Sequence, residues 1–195
     1  MAPGHVAYGL QAQYGLAVTV DTVASWEHGL SAPSAREVNA LAGVLWCSVG
    51  ELLAQASTLR EHRLARGMAP DELARRLGMD PASYVRMEES GQWRGSERQT
   101  EALATALVLT PRELLTATGR NEELAGVLRE AATGRWQPHV RAVAKMLPLP
   151  RHHLEDVLEQ LNADYRAGSG MGAGPADAAD VLAGVTERFW ELVRG

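Results

Sequence analysis

Residues 102–115 read ALATALVLTPRELL, and residues 40–53 read ALAGVLWCSVGELL. Seven of the fourteen positions are identical, at a spacing of 62 residues. In residues 102–115, Leu103, Ala106 and Leu107 fall at i, i+3 and i+4, the spacing of one helix face. Thr110-Pro111 then interrupts that helix. A threonine N-cap, a proline at the first helical position and Glu113 three residues after the threonine form a capping box for a new helix. Ser48-Val49-Gly50-Glu51 repeats the box in residues 40–53. Each stretch predicts a helix, a tight turn and a second, capped helix. Two copies at this long period do not make a solenoid; they point to two similar small domains.

Upstream of the second copy, TLREHRLARG (58–67) reads as an amphipathic helix ending at Gly67. Pro70 opens PDELARRLG, with Leu73, Ala74 and Leu77 as its apolar stripe and Gly78 as its stop. Asp80-Pro81 starts DPASYVRMEESG, whose buried face should be Tyr84, Met87 and part of the Glu88 stem. Five short helices thus occupy residues 58–118. Two of them, joined by Gly78-Met79-Asp80-Pro81, have the helix-turn-helix arrangement.

The string LREHR…ARGMAPDELARRLGMDPASYVRMEESG…ALATALVLTPRELL resembles the phage-repressor-like (XRE-type) helix-turn-helix domain. The resemblance covers residues 58–118 well. It covers residues 1–55 less fully, through VTVDTVASWEHG, the proline of SAPS and the repeated stretch. It implies an operator-binding protein that works as a dimer on double-stranded DNA, with the third helix of the domain in the major groove. It also implies an internal salt bridge between Arg63 and Glu88, a structural pair rather than a base contact.

Departures from the family pattern narrow the candidate readers. Members usually begin the second helix with Ser-Gln and carry polar residues at the start of the third. Here those places hold Ala69-Pro70 and Pro81-Ala82-Ser83. Ser83, Val85 and Arg86 are left as the exposed groove candidates. Arg86 is either a bidentate guanine or phosphate contact, or a solvated arginine partnered by Glu89. Gln92 and Arg94 lie where family members touch backbone phosphates, with Trp93 between them as a packing residue. Arg75, Arg76 and Arg98 complete an arginine cluster.

The first copy departs further. Pro3 suits the first position of a helix and Gly15 its stop, so the chain up to Tyr14 supplies the second helix only. Either the chain is trimmed or this copy is degenerate. Its recognition-helix equivalent, TVDTVASWEHG, presents Val20, Asp21, Thr22, Ala24 and Ser25. Asp21 would be repelled by phosphates, which makes this copy a helper or interface module.

Charge follows the same division. Net charge is −5, and residues 1–57 hold one basic residue (Arg36) against four acidic ones. Residues 58–119 hold nine arginines against nine acids, and residues 120–195 nine basic against eleven acidic. The single cysteine, Cys47, excludes an internal disulfide and reads as a small buried hydrophobe in VLWCSV. The first twenty residues contain no Lys, Arg, Asp or Glu and make a poor signal peptide. No run has the length and apolarity of a membrane span. These readings place the protein in the cytoplasm, with no membrane partner.

Beyond Gly119 the resemblance ends. Asn121 is expected as an N-cap, with Leu124, Val127, Leu128 and Ala131 on one helix face and Gly134 closing it. Pro138 should open HVRAVAKML, and LPLP should stop it. A longer helix follows, with Leu154, Val157, Leu158, Leu161 and Tyr165 on one side. Residues 167–177, AGSGMGAGPAD, have the composition of a flexible linker. The last helix carries Ala178, Val181, Leu182, Val185, Phe189, Leu192 and Val193, a stripe that packs either on its own core or on a second subunit.

Motifs for catalysis are missing. His152 and His153 are adjacent and diverge on a helix, and there is no CxxC, HExxH, phosphate loop or nucleophile elbow. The sequence therefore predicts a non-enzymatic, all-α protein without a cofactor or metal. Two repressor-like helix-turn-helix domains stand in tandem before a C-terminal helical domain. The expected boundaries are 1–57 (degenerate, first helix missing), 58–119, and 120–195, the last a dimerisation domain. Two functions fit: a DNA-binding transcriptional regulator, or an interaction module that keeps the fold but no longer binds DNA. Nothing beyond apolar helix faces identifies a small-molecule effector.

Overall fold

Helices are the only regular elements among residues 1–54, 56–168 and 183–194, the residues described by a computed structural model. They are α1 (Pro3–Tyr14), α2 (Val20–Glu27), α3 (Ala35–Val44), α4 (Val49–Leu52), α5 (Leu59–Ala65), α6 (Pro70–Arg76) and α7 (Pro81–Ser90). There follow α8 (Glu97–Leu107), α9 (Pro111–Ala117), α10 (Asn121–Thr133), α11 (Val140–Met146), α12 (Arg151–Gly168) and α13 (Val185–Arg194). The fold is all-α. The chain divides into two compact units, Met1–Pro70 and Asp71–Gly195.

In the first unit, α1 lies on α2 and α3 over a small aliphatic core of Val6, Leu10, Val23, Ala40, Leu41 and Val44. Pro3 stands at the start of α1 and Gly15, at φ 63°, ends it. Tyr14, partly exposed, lies over Gly43, where a larger residue would push its ring and hydroxyl aside. Thr19 caps α2 through the Thr22 amide at 3.1 Å. Arg60 on α5 donates to the Pro33 carbonyl at 3.0 Å. Arg63 is buried and donates to the Met68 carbonyl at 2.7 Å.

The two repeated stretches have the same local backbone, bond for bond. Trp46 and Val108, 62 positions apart, both take left-handed φ, 56° and 48°. The Trp46 amide donates to the Gly43 carbonyl and the Cys47 amide to that of Ala42. The same bonds run from Val108 to Thr105 and from Leu109 to Ala104. This is the Schellman termination, in which the residue after the left-handed one is an apolar group folded back on the helix. Cys47 occupies that place and is half-buried, not sealed in the core as the apolar run suggests. Trp46, at the left-handed position, is 88 % exposed. The capping boxes then follow in register. Ser48 and Glu51 exchange bonds of 2.7 and 3.1 Å, and Thr110 and Glu113 bonds of 2.8 and 3.3 Å.

The second unit holds a larger core. Leu124, Leu128, Val143, Met146, Leu154, Leu158 and Phe189 are sealed within it. Leu115 of α9 joins the same core, so the last helix of the repeat packs onto the C-terminal helices. Arg112 on α9 pairs with Glu187 on α13 at 2.5 Å and sits 5.8 Å from the centre of the Trp190 ring. Arg188 ties α13 to Asp164 on α12 at 2.7 Å. The terminal helix is thus seated on its own chain, through Val185, Phe189 and Trp190.

Three details differ from the sequence reading. Asn121 is the first helical residue of α10 rather than its cap, and Arg120 before it makes no capping bond. The Leu124 amide bonds directly to the Arg120 carbonyl, so the chain passes from α9 into α10 without the extended residue a side-chain cap requires. Pro138 lies in a 3-10 turn, Gln137–His139, and α11 begins only at Val140. Of the expected linker 167–177, Ala167 and Gly168 belong to α12, and the remainder lies outside the described residues, as do Ala178, Val181 and Leu182.

Candidate nucleic-acid interface

The turn between α6 and α7 is made by Gly78, at φ 64°, where the Met79 amide reaches back to the Ala74 carbonyl at 3.0 Å. A left-handed residue here is cheap for glycine and costs an L side chain about 1–2 kcal/mol. Asp80 then caps α7, accepting the Ser83 amide at 2.9 Å, and Pro81 fills the first helical position. Tyr84, fully buried, fixes the inner face of α7, and Met87 and Glu88 are half-buried beside it.

Outward from that anchor runs a chain of polar contacts. The Ser83 hydroxyl donates to Asp80 at 3.0 Å and accepts from the Arg86 guanidinium at 3.0 Å. The Ser83 amide, then its hydroxyl and the charge of Arg86, hold the Asp80 carboxyl below the usual carboxylate range. Arg86 is exposed and bonds Ser83. Ser83 and Val85 are half-buried, so the exposed face of α7 is narrower than its sequence suggests.

The segment after α7 is pinned by Trp93. Its ring is buried, its indole N–H donates to Thr100 at 2.8 Å, and its amide donates to the Thr118 carbonyl at 3.2 Å. Gly119 lies against the Gly91 carbonyl, where a Cβ would not fit. With Trp93 turned inward, its neighbours Gln92 and Arg94 turn outward, and Arg94 donates to the Gln92 side chain at 3.1 Å. Trp93 is a packing residue.

Ser83, Arg86, Gln92 and Arg94 line one shallow cleft of about 650 Å³. Three further residues line it that the sequence did not single out as contacts: Met87, Glu89 and Ser90. Asp80 was legible as the start of the helix, and its i, i+3 spacing to Ser83 was the available signal for its place in the polar chain. Val85, Arg75 and Arg98 do not line this cleft. Arg75 is exposed on α6 and pairs with Asp71 at 3.1 Å. Arg98 lines a second shallow cleft with Arg76, Glu101 and Thr105.

Among the described residues, no group of three or more His, Cys, Asp or Glu could hold a metal ion, and no helix is long and apolar enough to cross a membrane. No curated protein and no solved structure matches the chain. Residues 56–117, which run from just before α5 to the end of α9, match the family described as a helix-turn-helix domain.

Proposed function

We propose that the chain is a sequence-specific, DNA-binding transcriptional regulator of the phage-repressor-like type, acting in the cytoplasm as a homodimer on duplex DNA. The observation that carries this reading is the convergence of Ser83, Arg86, Gln92 and Arg94 on one open cleft along α7. Two guanidiniums beside the exposed face of a helix-turn-helix are the equipment for one base contact and one phosphate contact. Arg86 is the base reader, with Ser83 and Val85 as its neighbours. Arg94 and Gln92 hold the phosphate backbone. Arg75 and Arg98 are flanking phosphate contacts. The Arg75–Asp71 pair is exposed, and such pairs are worth about 0–1 kcal/mol, so a phosphate can displace the carboxylate.

In this reading, residues 58–119 form the reading domain and residues 1–57 an altered copy that does not touch DNA. Residues 120–195 then carry the pairing of subunits, and the chain has no catalytic role and no cofactor. The matching turns, bonds and capping boxes of the repeated stretches support a common origin for the two copies.

One observation favours a second reading, an interaction module without DNA affinity. Glu89 lines the same cleft and Asp80 stands at its helix start, two negative charges where phosphates would pass. A binding titration of the full chain on randomised duplexes, repeated across salt concentrations, decides between them. The regulator binds with log K falling linearly in log salt and enriches a defined sequence. The interaction module shows no binding even at low salt. Sedimentation equilibrium of the full chain then gives twice the 21.0 kDa chain mass for the dimer.

A further inference from the structure

The carbonyls at the end of a helix have no partner within it and need one from elsewhere. At the end of α10 they are served by one buried side chain from α12. The Asn162 amide group donates to the carbonyls of Ala131, Ala132 and Gly134 at 3.1, 2.7 and 3.0 Å. Asn162 is 6 % exposed, and its donor is fully used by this cap. Its side-chain oxygen receives no hydrogen bond from the described residues.

Asn162 also lines a solvent-open cavity of about 560 Å³, together with half-buried Trp136 and the exposed Glu159, Arg135 and Arg166. That volume falls within the range of about 300–1,000 Å³ common to small-molecule sites. Arg135 and Arg166, both exposed, are in no ion pair among the described residues, so their guanidiniums are open to a ligand anion. The lining charge is two cations against one anion. Trp136 is half-buried against the C-terminal core and gives the cavity a rigid aromatic wall.

We infer that this cavity binds a small organic anion, its carboxylate or phosphate held by Arg135 and Arg166 and an N–H or O–H of the ligand donated to the free oxygen of Asn162. Guanidinium is suited to both anions because its N–H groups match their oxygens in pairs. Glu159 limits the ligand to low net charge, since a polyanion would meet it. The inference rests on the C-terminal helices alone and stands whether or not α7 reads DNA.

The test uses the full chain labelled with ¹⁵N, at constant ionic strength, following the indole N–H resonance of Trp136. That resonance is identified by its loss in Trp136→Phe. The probes are acetate, inorganic phosphate and 4-hydroxybenzoate, with 4-hydroxybenzamide as the neutral counterpart of the last. At least one of the three anions shifts the resonance saturably, and the neutral amide does not. Arg135→Gln and Arg166→Gln each weaken that response about tenfold or more, the loss of a charged hydrogen bond. Arg129→Gln, an exposed arginine outside the cavity, leaves it unchanged. No saturable shift with any of the three anions overturns the inference. So does an equal response to the amide, or full retention in both cavity variants. All four arginine and tryptophan variants are checked for a native spectrum elsewhere in the protein.

Discussion

The stretches that hold α2 to α4 and α7 to α9 share their turns and caps and differ in what surrounds them. Gly29 and Gly91, Ser34 and Ser96, Trp46 and Val108, and Ser48 and Thr110 stand 62 positions apart with matching conformations. What differs is burial behind the turn and charge in front of it. Leu114 is sealed at 0 % exposure, while its counterpart Leu52 is half-buried at the edge of a four-residue helix. On the outer face, α2 carries Asp21 and no basic residue, while α7 carries Arg86 and is followed by Arg94. Local sequence therefore sets the same turns and caps in both stretches, while burial and outward charge differ between them.

The largest expected difference lies in the core. Leu114→Ala should cost about 2–5 kcal/mol, the range for a fully buried leucine. Leu52→Ala, at the equivalent position, should cost about 1 kcal/mol, because much of its side chain already meets water. Urea denaturation of both variants makes the comparison. Equal losses would mean that the two copies are packed alike.

Removing a cap should separate the copies less. Thr110→Ala is expected to lower stability by about 1 kcal/mol. Ser48→Ala should lower it less, since α4 buries no residue. The first box also carries a pH signature. Bonds from the Ser48 amide and hydroxyl hold the Glu51 carboxyl below its usual value. A carboxyl depressed in the folded state adds stability above the unfolded value, near ~4.3, and loses it as pH falls through the lower folded value. The stability gap between the wild type and Glu51→Gln should therefore be open at neutral pH and close below about pH 4. A gap that widens on acidification would reverse the assignment.

The left-handed positions give an effect of opposite sign. Val108 is branched at Cβ and 73 % exposed, so its left-handed backbone is strained with little side-chain contact in return. Val108→Gly should raise the melting temperature by a small margin, equivalent to about 1 kcal/mol. Trp46→Gly should gain less, because an unbranched Cβ is less crowded there.

These same residues mark the limit of what the sequence discloses. Caps are written locally: Ser34, Ser48, Thr58, Ser96 and Thr110 each precede Glu or Gln by three residues, and each box forms. The left-handed turns at Trp46 and Val108 carry no glycine or asparagine to announce them. They are fixed by the two return bonds and by the capped helix that follows. Asn121 is a strong cap former that goes unused because the preceding backbone is already turning. At the candidate interface, Arg86, Gln92 and Arg94 were readable from pattern and resemblance. The half-burial of Ser83 and Val85 was not, since it depends on Tyr84 and Trp93 fixing α7 and the segment after it from the inside. The cavity over Asn162 was invisible to sequence because α10 and α12 bring its residues together from about 28 positions apart.

The central claim is that α7, not α2, is the reading head. It is tested most directly by one titration of the full chain and its Arg86→Ala, Arg94→Ala and Asp21→Ala variants on a selected duplex across salt concentrations. Arg86→Ala should cost about 1–3 kcal/mol and blur sequence preference. Arg94→Ala should weaken all sequences alike and flatten the salt slope by about one, one counterion fewer being released. Asp21→Ala should leave binding as it is. A larger change from Asp21→Ala than from Arg86→Ala would contradict the account and move the reading head to the first copy.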